Sequence, residues 1–406
     1  MPKCRICENT FDPFISFGKM PIANGFLTSE EFAKEYFYEL KVGFCTKCTM
    51  VQLVEQPDRD MMFHNDYAYF SSISTKMAAH FRDFAELVMD NYITDKNPLV
   101  VEIGSNDGIM LRHFADKGIR HLGVEPSGNV AQVAREKGVE TLCEFFDETV
   151  AEHIKAERGQ ADVVVAANVM CHIPYLDSVV KGVSRLLKPE GMFIFEDPYL
   201  GDIIEITSYD QIYDEHVFYF SVTSVQYLFN MYGMQVIEIM PQNVHGGSMR
   251  YVVAHKGVFP VSAKVESQIH KEEKLGLHKK EMFDRFRLNV ERSRDGLMQT
   301  LTNLKKQGKR VVGYGATSKS TTVTNYCGIT PDLVEFISDT TPTKQGKCSP
   351  GAHIPIKPYE EFCSKYPDVA LLFAWNHGEE IMGKEKKFTD AGGEWLVYVP
   401  EVRIFH

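Results

Sequence analysis

Long uninterrupted apolar runs are missing from these 406 residues. No segment approaches the roughly 20 residues needed to span a bilayer, and the N-terminal "MPKCRIC" carries no secretory apolar core. A basic excess is missing too. Lys and Arg number 44 against 55 Asp and Glu, a formal net charge of −11, which excludes a general nucleic-acid binder but leaves room for a local basic site for one small anion. Repeats of solenoid period are absent. These absences predict a cytoplasmic, monomeric chain with neither membrane nor nucleic acid among its partners.

What is present fits a globular chain: 44% hydrophobic and 24% charged residues. The length exceeds one ordinary core and predicts two or three domains. Residues 74–92 place Met77, Phe81, Phe84, Ala85 and Val88 at helical spacing. From "PLVVEIGSNDG" to "GMFIFEDPYL" strands and helices alternate, as in a parallel doubly wound sheet. A charged helical stretch over 263–307 leads into a second α/β rhythm that starts at "KRVVGYGATSKS".

Four of the nine cysteines form two C-x2-C knuckles, Cys4/Cys7 and Cys45/Cys48. A cytoplasmic chain of this size has no need of disulfides, so the pairs point to metal. Two knuckles complete a closed tetrahedral thiolate shell, the signature of one structural Zn2+. The long linker between them offers a surface, including Phe14, Phe17, Met20 and Asn24, to another domain.

Between the first predicted strand and its helix lies Glu102-x-Gly104-x-Asn106-x-Gly108. Such a loop lets a cofactor approach backbone at a helix N-terminus. Glu125, followed by Pro126, ends the next strand, where a carboxylate can accept from ribose hydroxyls. The loop is not G-x-G-x-x-G, so NAD is the lesser reading. Its form, with "GVEPS", resembles the S-adenosylmethionine-dependent methyltransferase fold. "ANVMCHIPY" then places Asn168 beside the cofactor and His172 toward the substrate at a strand end, with a purely structural His172 equally open.

"QIYDEHVFYFS" crowds Tyr213, Asp214, Glu215, His216 and Tyr219 into seven positions. Together with the cysteine module, the glycine loop, "HGGSMRY" and "GYGATSKS", this stretch makes the chain resemble, over essentially its whole length, the nucleotide-linked 4-keto-deoxysugar C-3-methyltransferase family. The resemblance implies an N-terminal zinc module (1–66), a central Rossmann-like methyltransferase domain (67–258), and a helical connector with a C-terminal Rossmann-like domain (259–406). It implies methyl transfer from S-adenosyl-L-methionine to C3 of an NDP-linked 3-hydroxy-4-keto-6-deoxy sugar, with dTDP the favoured nucleotide, through an enolate. It makes His216 the base, Glu215 an orienting group and Tyr213 a donor to sugar oxygens, with Tyr67 the preferred further tyrosine of the site. Tyr69 and His245 would line the sugar pocket, although packing is open for Tyr69 and a plain hairpin explains the glycines beside His245. Gly315, Thr317, Ser318, Lys319 and Ser320 would hold the diphosphate, since this second loop lacks the third glycine of a dinucleotide site but clusters hydroxyls and a lysine at a helix start. An NAD-dependent nucleotide-sugar oxidoreductase or epimerase is the main alternative; Tyr209 and Tyr213 lack the lysine four residues on that it would use. A non-catalytic zinc-bearing binding protein is the other.

Overall fold

The computed structural model describes residues 1–62 and 75–406. Tyr67 and Tyr69 lie outside the described residues. Among the described residues no helix is long and apolar enough to cross a membrane.

Three sheets organise the chain. The first contains β1 (Asp12–Pro21), β2 (Phe37–Phe44) and β3 (Val51–Leu53). The second is built from β4 (Leu99–Ile103), β5 (Arg120–Val124), β6 (Thr141–Leu142), β7 (Ala161–Ala167) and β8 (Leu187–Pro198). A short strand, β9 (Phe218–Tyr219), leaves this succession and pairs antiparallel with β3. The hairpin β10 (Met234–Gln242) and β11 (Ser248–His255) then closes the second sheet, in the order β10-β11-β8-β7-β4-β5-β6. The third sheet comprises β12 (Val311–Tyr314), β13 (Ile337–Ser338), β14 (Ile356–Lys357), β15 (Val369–Leu372), β16 (Glu394–Val397) and β17 (Arg403–Phe405), in the order β14-β13-β12-β15-β16-β17.

The middle strands of both large sheets are parallel. Helices cover both of their faces, so a strand such as "LVVEI" is buried at all five positions instead of alternating. The helix Leu176–Leu186 shows the complementary pattern, burying Leu176, Val179, Val180, Val183 and Leu186 along one stripe. Chain order reverses between β4 and β7 in the second sheet and between β12 and β15 in the third. Ligands of open α/β sheets gather at the carboxyl ends of strands beside such a reversal.

The zinc module does not stand apart. Cys4, Cys45 and Cys48 share a core with the central sheet. Phe14, Phe17 and Met20 share another with the C-terminal part, where Phe14 lies 5.0 Å from Phe283 and Phe17 packs edge-on against Tyr326 at 4.8 Å. Two segments cross the expected boundaries. Strand β9, numbered within 67–258, belongs to the zinc module's sheet. The connector's first helix, Ala263–Leu275, packs on the central domain through Glu272. The Glu272 carboxylate accepts from Tyr199 Oη at 2.8 Å, Val222 N at 2.7 Å, Thr223 N at 2.9 Å and Thr223 Oγ1 at 2.6 Å. It thereby caps the Val222–Asn230 helix, whose first N–H groups need acceptors.

Candidate active site

The first glycine loop turns tightly at the end of β4. Gly104 has φ +67°, and a Cβ there would strike Val169 of the loop after β7. Gly108, φ +77°, would bring a Cβ to 2.8 Å from Val139 Cγ2, so its bareness serves packing. Glu125 ties the loop from below: its carboxylate accepts from Asn106 N at 3.0 Å and from Ser127 N, beyond Pro126, at 2.8 Å. Burial raises the pKa of Glu125 and, helped by the charges of Glu125 and Asp107, holds Glu102 protonated well above the usual carboxylate range. Asn168 takes a left-handed conformation, φ +57°, and its buried Oδ1 has no partner among the described residues. A carboxylate at the second strand's end and an orphan amide oxygen fit the ribose hydroxyls and the amino group of S-adenosylmethionine. Glu125→Ala should weaken binding of S-adenosylhomocysteine by about 1.5–3 kcal/mol, the worth of hydrogen bonds to a charged group. Titration calorimetry checks this, and unchanged affinity would remove Glu125 from the cofactor site.

The "YDEH" stretch is a turn between a single 3-10 turn, Tyr209–Gln211, and β9. His216 N donates to Tyr213 O at 3.1 Å, which sets their side chains on one side. Tyr213 Oη lies 2.7 Å from His216 Nε2, and His216 Nδ1 lies 2.8 Å from Gln211 O. A carbonyl only accepts, so Nδ1 carries the proton and Nε2 presents its lone pair to the tyrosine hydroxyl. His172, from the loop after β7, stacks on His216 with centroids 5.1 Å apart and 26° between planes. Burial, then the charges of His172, Lys319 and His245, push the His216 pKa far down, so the imidazole is neutral near pH 7. Burial likewise lowers His172 to about 4. The two acids face the zinc module instead: Asp214 accepts from Ala23 N at 3.1 Å, and Glu215 Oε1 accepts from Asn24 Nδ2 at 2.7 Å.

The second glycine loop meets this cluster from the other side. Gly315, φ +87°, would bring a Cβ to 3.0 Å from Ala374 after β15. Two of the hydroxyls expected at the diphosphate serve the helix start here. Thr317 Oγ1 accepts from Ser320 N at 3.2 Å, and Ser320 Oγ donates to Thr317 O at 2.6 Å. Both hydroxyls cap the Ser318–Cys327 helix, and Ser320 is fully enclosed. Ser318 stays half-buried at the same helix start. Lys319 Nζ lies over the Trp375 ring, 4.9 Å from its centroid.

His245 sits at the hairpin turn with φ +54°. The following glycines are both needed there, because a Cβ at Gly246 would strike Trp375 and one at Gly247 would strike Asp202. Burial, then the charge of Lys319, hold the His245 pKa down at about 3. An unfolded imidazole titrates near 6.5. Between these values the unfolded chain binds a proton that the folded chain does not, so stability falls as pH falls, by up to about 1.4 kcal/mol per pH unit. His245→Asn, which tolerates the same φ, lacks that loss. The stability gap between variant and wild type should therefore narrow on acidification from pH 7 to pH 5, measured by urea denaturation; parallel pH slopes would count against a neutral buried His245.

Three groups of the cluster escaped sequence reasoning. Asp210 Oδ2 accepts from Trp375 Nε1 at 2.6 Å and from Tyr398 Oη at 2.7 Å. Lys344 donates to Ala316 O at 2.8 Å and lies 4.9 Å from the Phe26 ring. Trp375 follows β15 at the carboxyl edge beside the reversal point, a position that alone would have marked it.

At the far end of the module, Sγ of Cys4 and Cys48 are 3.5 Å apart, as are those of Cys7 and Cys45, and all four lie within 4.8 Å of one another. Tetrahedral Zn–S bonds of about 2.3 Å imply S···S edges of roughly 3.8 Å. Gln52 Nε2 donates to Cys4 Sγ at 3.0 Å, a bond suited to a thiolate. The quartet fits a closed structural zinc site.

Comparison with known proteins decides the family. C-methyltransferase NovU of Streptomyces niveus is 35% identical over 405 residues, covering 99% of this chain and 96% of the relative. The chain belongs to the C-methyltransferase family. Family models described as "Putative zinc binding domain", "Methyltransferase domain" and "C-methyltransferase C-terminal domain" match residues 4–63, 75–239 and 243–400 of this S-adenosylmethionine-dependent C-methyltransferase. The Ubiquinone biosynthesis O-methyltransferase of Salmonella paratyphi A is 30% identical over 146 residues, 32% of this chain and 60% of the relative. Among solved structures, the PH0226 protein from Pyrococcus horikoshii OT3 aligns at 20% identity and TM-score 0.37, over 47% of this chain and 95% of that one. The family assignment sets aside the oxidoreductase and non-catalytic alternatives.

Proposed function

We propose that this C-methyltransferase methylates C3 of a nucleotide-linked 3-hydroxy-4-keto-6-deoxy sugar, with dTDP the favoured nucleotide. The observation that carries the reading is the Tyr213–His216 pair, stacked on His172 at the end of β7 and tied through Ile212 to the helix that follows the second glycine loop. Forming a bond to carbon requires a carbanion equivalent, and a 4-keto group acidifies the neighbouring C3–H. His216 is neutral, its Nδ1–H is fixed on Gln211 O, and its Nε2 lone pair is met by the Tyr213 hydroxyl. The C3 proton passes to Nε2 and displaces the Tyr213 hydroxyl, which turns to donate to a sugar oxygen. Glu215, held by Asn24, orients that side of the pocket, and His172 supports the imidazole by stacking. S-adenosylmethionine, held by Gly104, Asn106, Glu125 and Asn168, supplies the electrophilic methyl carbon. The third sheet, with Lys344 at its glycine loop, suits the nucleotide diphosphate.

Mass spectrometry across a panel of NDP-4-keto sugars tests the reading. It should show a gain of one CH2 unit on a 4-keto-6-deoxy sugar, with the thymidine-linked form used best. Methylation confined to oxygen or nitrogen, or to molecules without a ketone beside the accepting carbon, would reject it.

A further inference from the structure

Lys319 is 8% exposed, and its Nζ has no hydrogen-bond partner among the described residues. A buried cation without direct pairing costs several kcal/mol and needs a reason to persist. Its direction is fixed by docking. The two residues after Ser320 anchor the helix on the rest of the site: Thr321 Oγ1 donates to Ala23 O at 2.8 Å and Thr322 Oγ1 to Ile212 O at 2.7 Å. Ala23 N in turn donates to Asp214, and Ile212 precedes Tyr213. The helix start is thus carried onto the "YDEH" turn. Lys319 Nζ lies 4.9 Å over the ring of Trp375, whose Nε1 donates to Asp210 Oδ2 at 2.6 Å, and its charge acts on His216 and His245.

Asp210 argues against a diphosphate at this spot. Its Oδ2 is occupied by Trp375 and Tyr398, and its Oδ1, also without a partner among the described residues, belongs to an acid whose charge acts on Lys319 beyond ion-pair distance. A diphosphate carries its full charge in every state and would be repelled. A ketone is neutral on arrival and acquires charge only as the proton leaves, which suits a donor already oriented in a water-poor setting.

We propose that Lys319 is a catalytic residue from the C-terminal domain, donating a hydrogen bond to the ketone oxygen that becomes the enolate oxygen. This rests on the enolate reading above. The step balances within the site: the C3–H bond breaks, its electron pair forms the C3–C4 π bond, the former carbonyl π pair moves to oxygen, and the proton goes to His216. The base then comes from one domain and the electrophilic donor from another.

The test compares wild type, Lys319→Met and Lys319→Gln in two assays. One is solvent deuterium exchange at C3 of dTDP-4-keto-6-deoxyglucose with S-adenosylhomocysteine present. The other is calorimetric binding of thymidine diphosphate, which lacks the sugar. Lys319→Met should slow exchange by about 10²- to 10³-fold, as loss of an oxyanion donor does. Lys319→Gln, of similar length with an amide donor, should fall between it and wild type. Thymidine diphosphate should bind both variants within about twofold of wild type, which also shows that they are folded. Exchange at the wild-type rate in the variants overturns the proposal. Weakened thymidine diphosphate binding by well-folded variants also overturns it and returns Lys319 to the diphosphate. Absence of exchange in the wild type itself overturns the enolate reading and the role of Lys319 with it.

Discussion

Asparagine at position 216 should cut turnover by about 10² to 10⁴, the worth of a positioned acid–base group, while S-adenosylhomocysteine and the nucleotide sugar still bind. The amide can reproduce the bond that His216 Nδ1 makes to Gln211 O, at 2.8 Å in the native site. It has no basic lone pair to replace Nε2. Deuterium at C3 should therefore cease to wash out into solvent when S-adenosylhomocysteine stands in for the methyl donor, because washout needs the base and no methyl. His172 is the rival, since it stacks 5.1 Å from His216 and follows β7 at the same sheet edge. The two differ in their surroundings. His216 has its tautomer dictated by a carbonyl and its lone pair met by a tyrosine hydroxyl, the arrangement of an oriented base. If His172→Asn abolishes exchange and His216→Asn leaves it intact, the roles are reversed. If neither slows exchange, the proton leaves through Tyr213 or a bound water, and His216 is not the base.

The parts of this site that were legible in the sequence are those set by local chemistry. Two C-x2-C knuckles need only their own turns to pair thiolates. Gly104 and Gly315 each follow an apolar strand and precede a helix, so their φ values of +67° and +87° follow from a local requirement. "YDEH" announces itself because acids and an imidazole have no other business next to a buried strand. Less legible were features made by docking. Trp375 and Asp210 are 165 positions apart and share a hydrogen bond. The seating of the Lys319 helix could not be read, since it is made by Thr321 and Thr322 bonding Ala23 and Ile212, far away in sequence. Ser320 shows the ambiguity of a hydroxyl at a helix start, which caps the helix as readily as it binds a ligand. The pairing of Phe218–Tyr219 with β3 was hidden for the same reason, as two residues carry no strand signal of their own.

That pairing makes zinc matter to catalysis at a distance. Removal of the metal should unfold the zinc module and abolish turnover, even though no cysteine of the quartet stands among the catalytic groups. Cys45 and Cys48 occupy the turn between β2 and β3, which end and start at Phe44 and Val51. Strand β3 pairs with β9 through Val51↔Tyr219 and Gln52↔Phe218, and Leu53 N donates to Val217 O at 2.8 Å. Val217 is the residue after His216, so the knuckle, the strand and His216 form one continuous run of backbone bonds. In isolated zinc modules the metal contributes about 10–16 kcal/mol, as much as the whole stability of about 5–15 kcal/mol that holds an ordinary domain together. Without it, β3 loses its turn, β9 loses its partner, and Tyr213 and His216 lose the register that brings them to 2.7 Å. Elemental analysis should find one zinc per chain. Cys45→Ser, or a strong chelator under mild heating, should lower the unfolding midpoint and eliminate C3 exchange. Binding of S-adenosylhomocysteine should outlast the loss of exchange, because Gly104, Asn106 and Glu125 hang on β4 and β5, whose backbone bonds belong to a different sheet from that of β3. A metal-free chain that stays folded and turns over at the native rate would break the argument at its first link, and loss of cofactor binding in step with exchange would break it at its last.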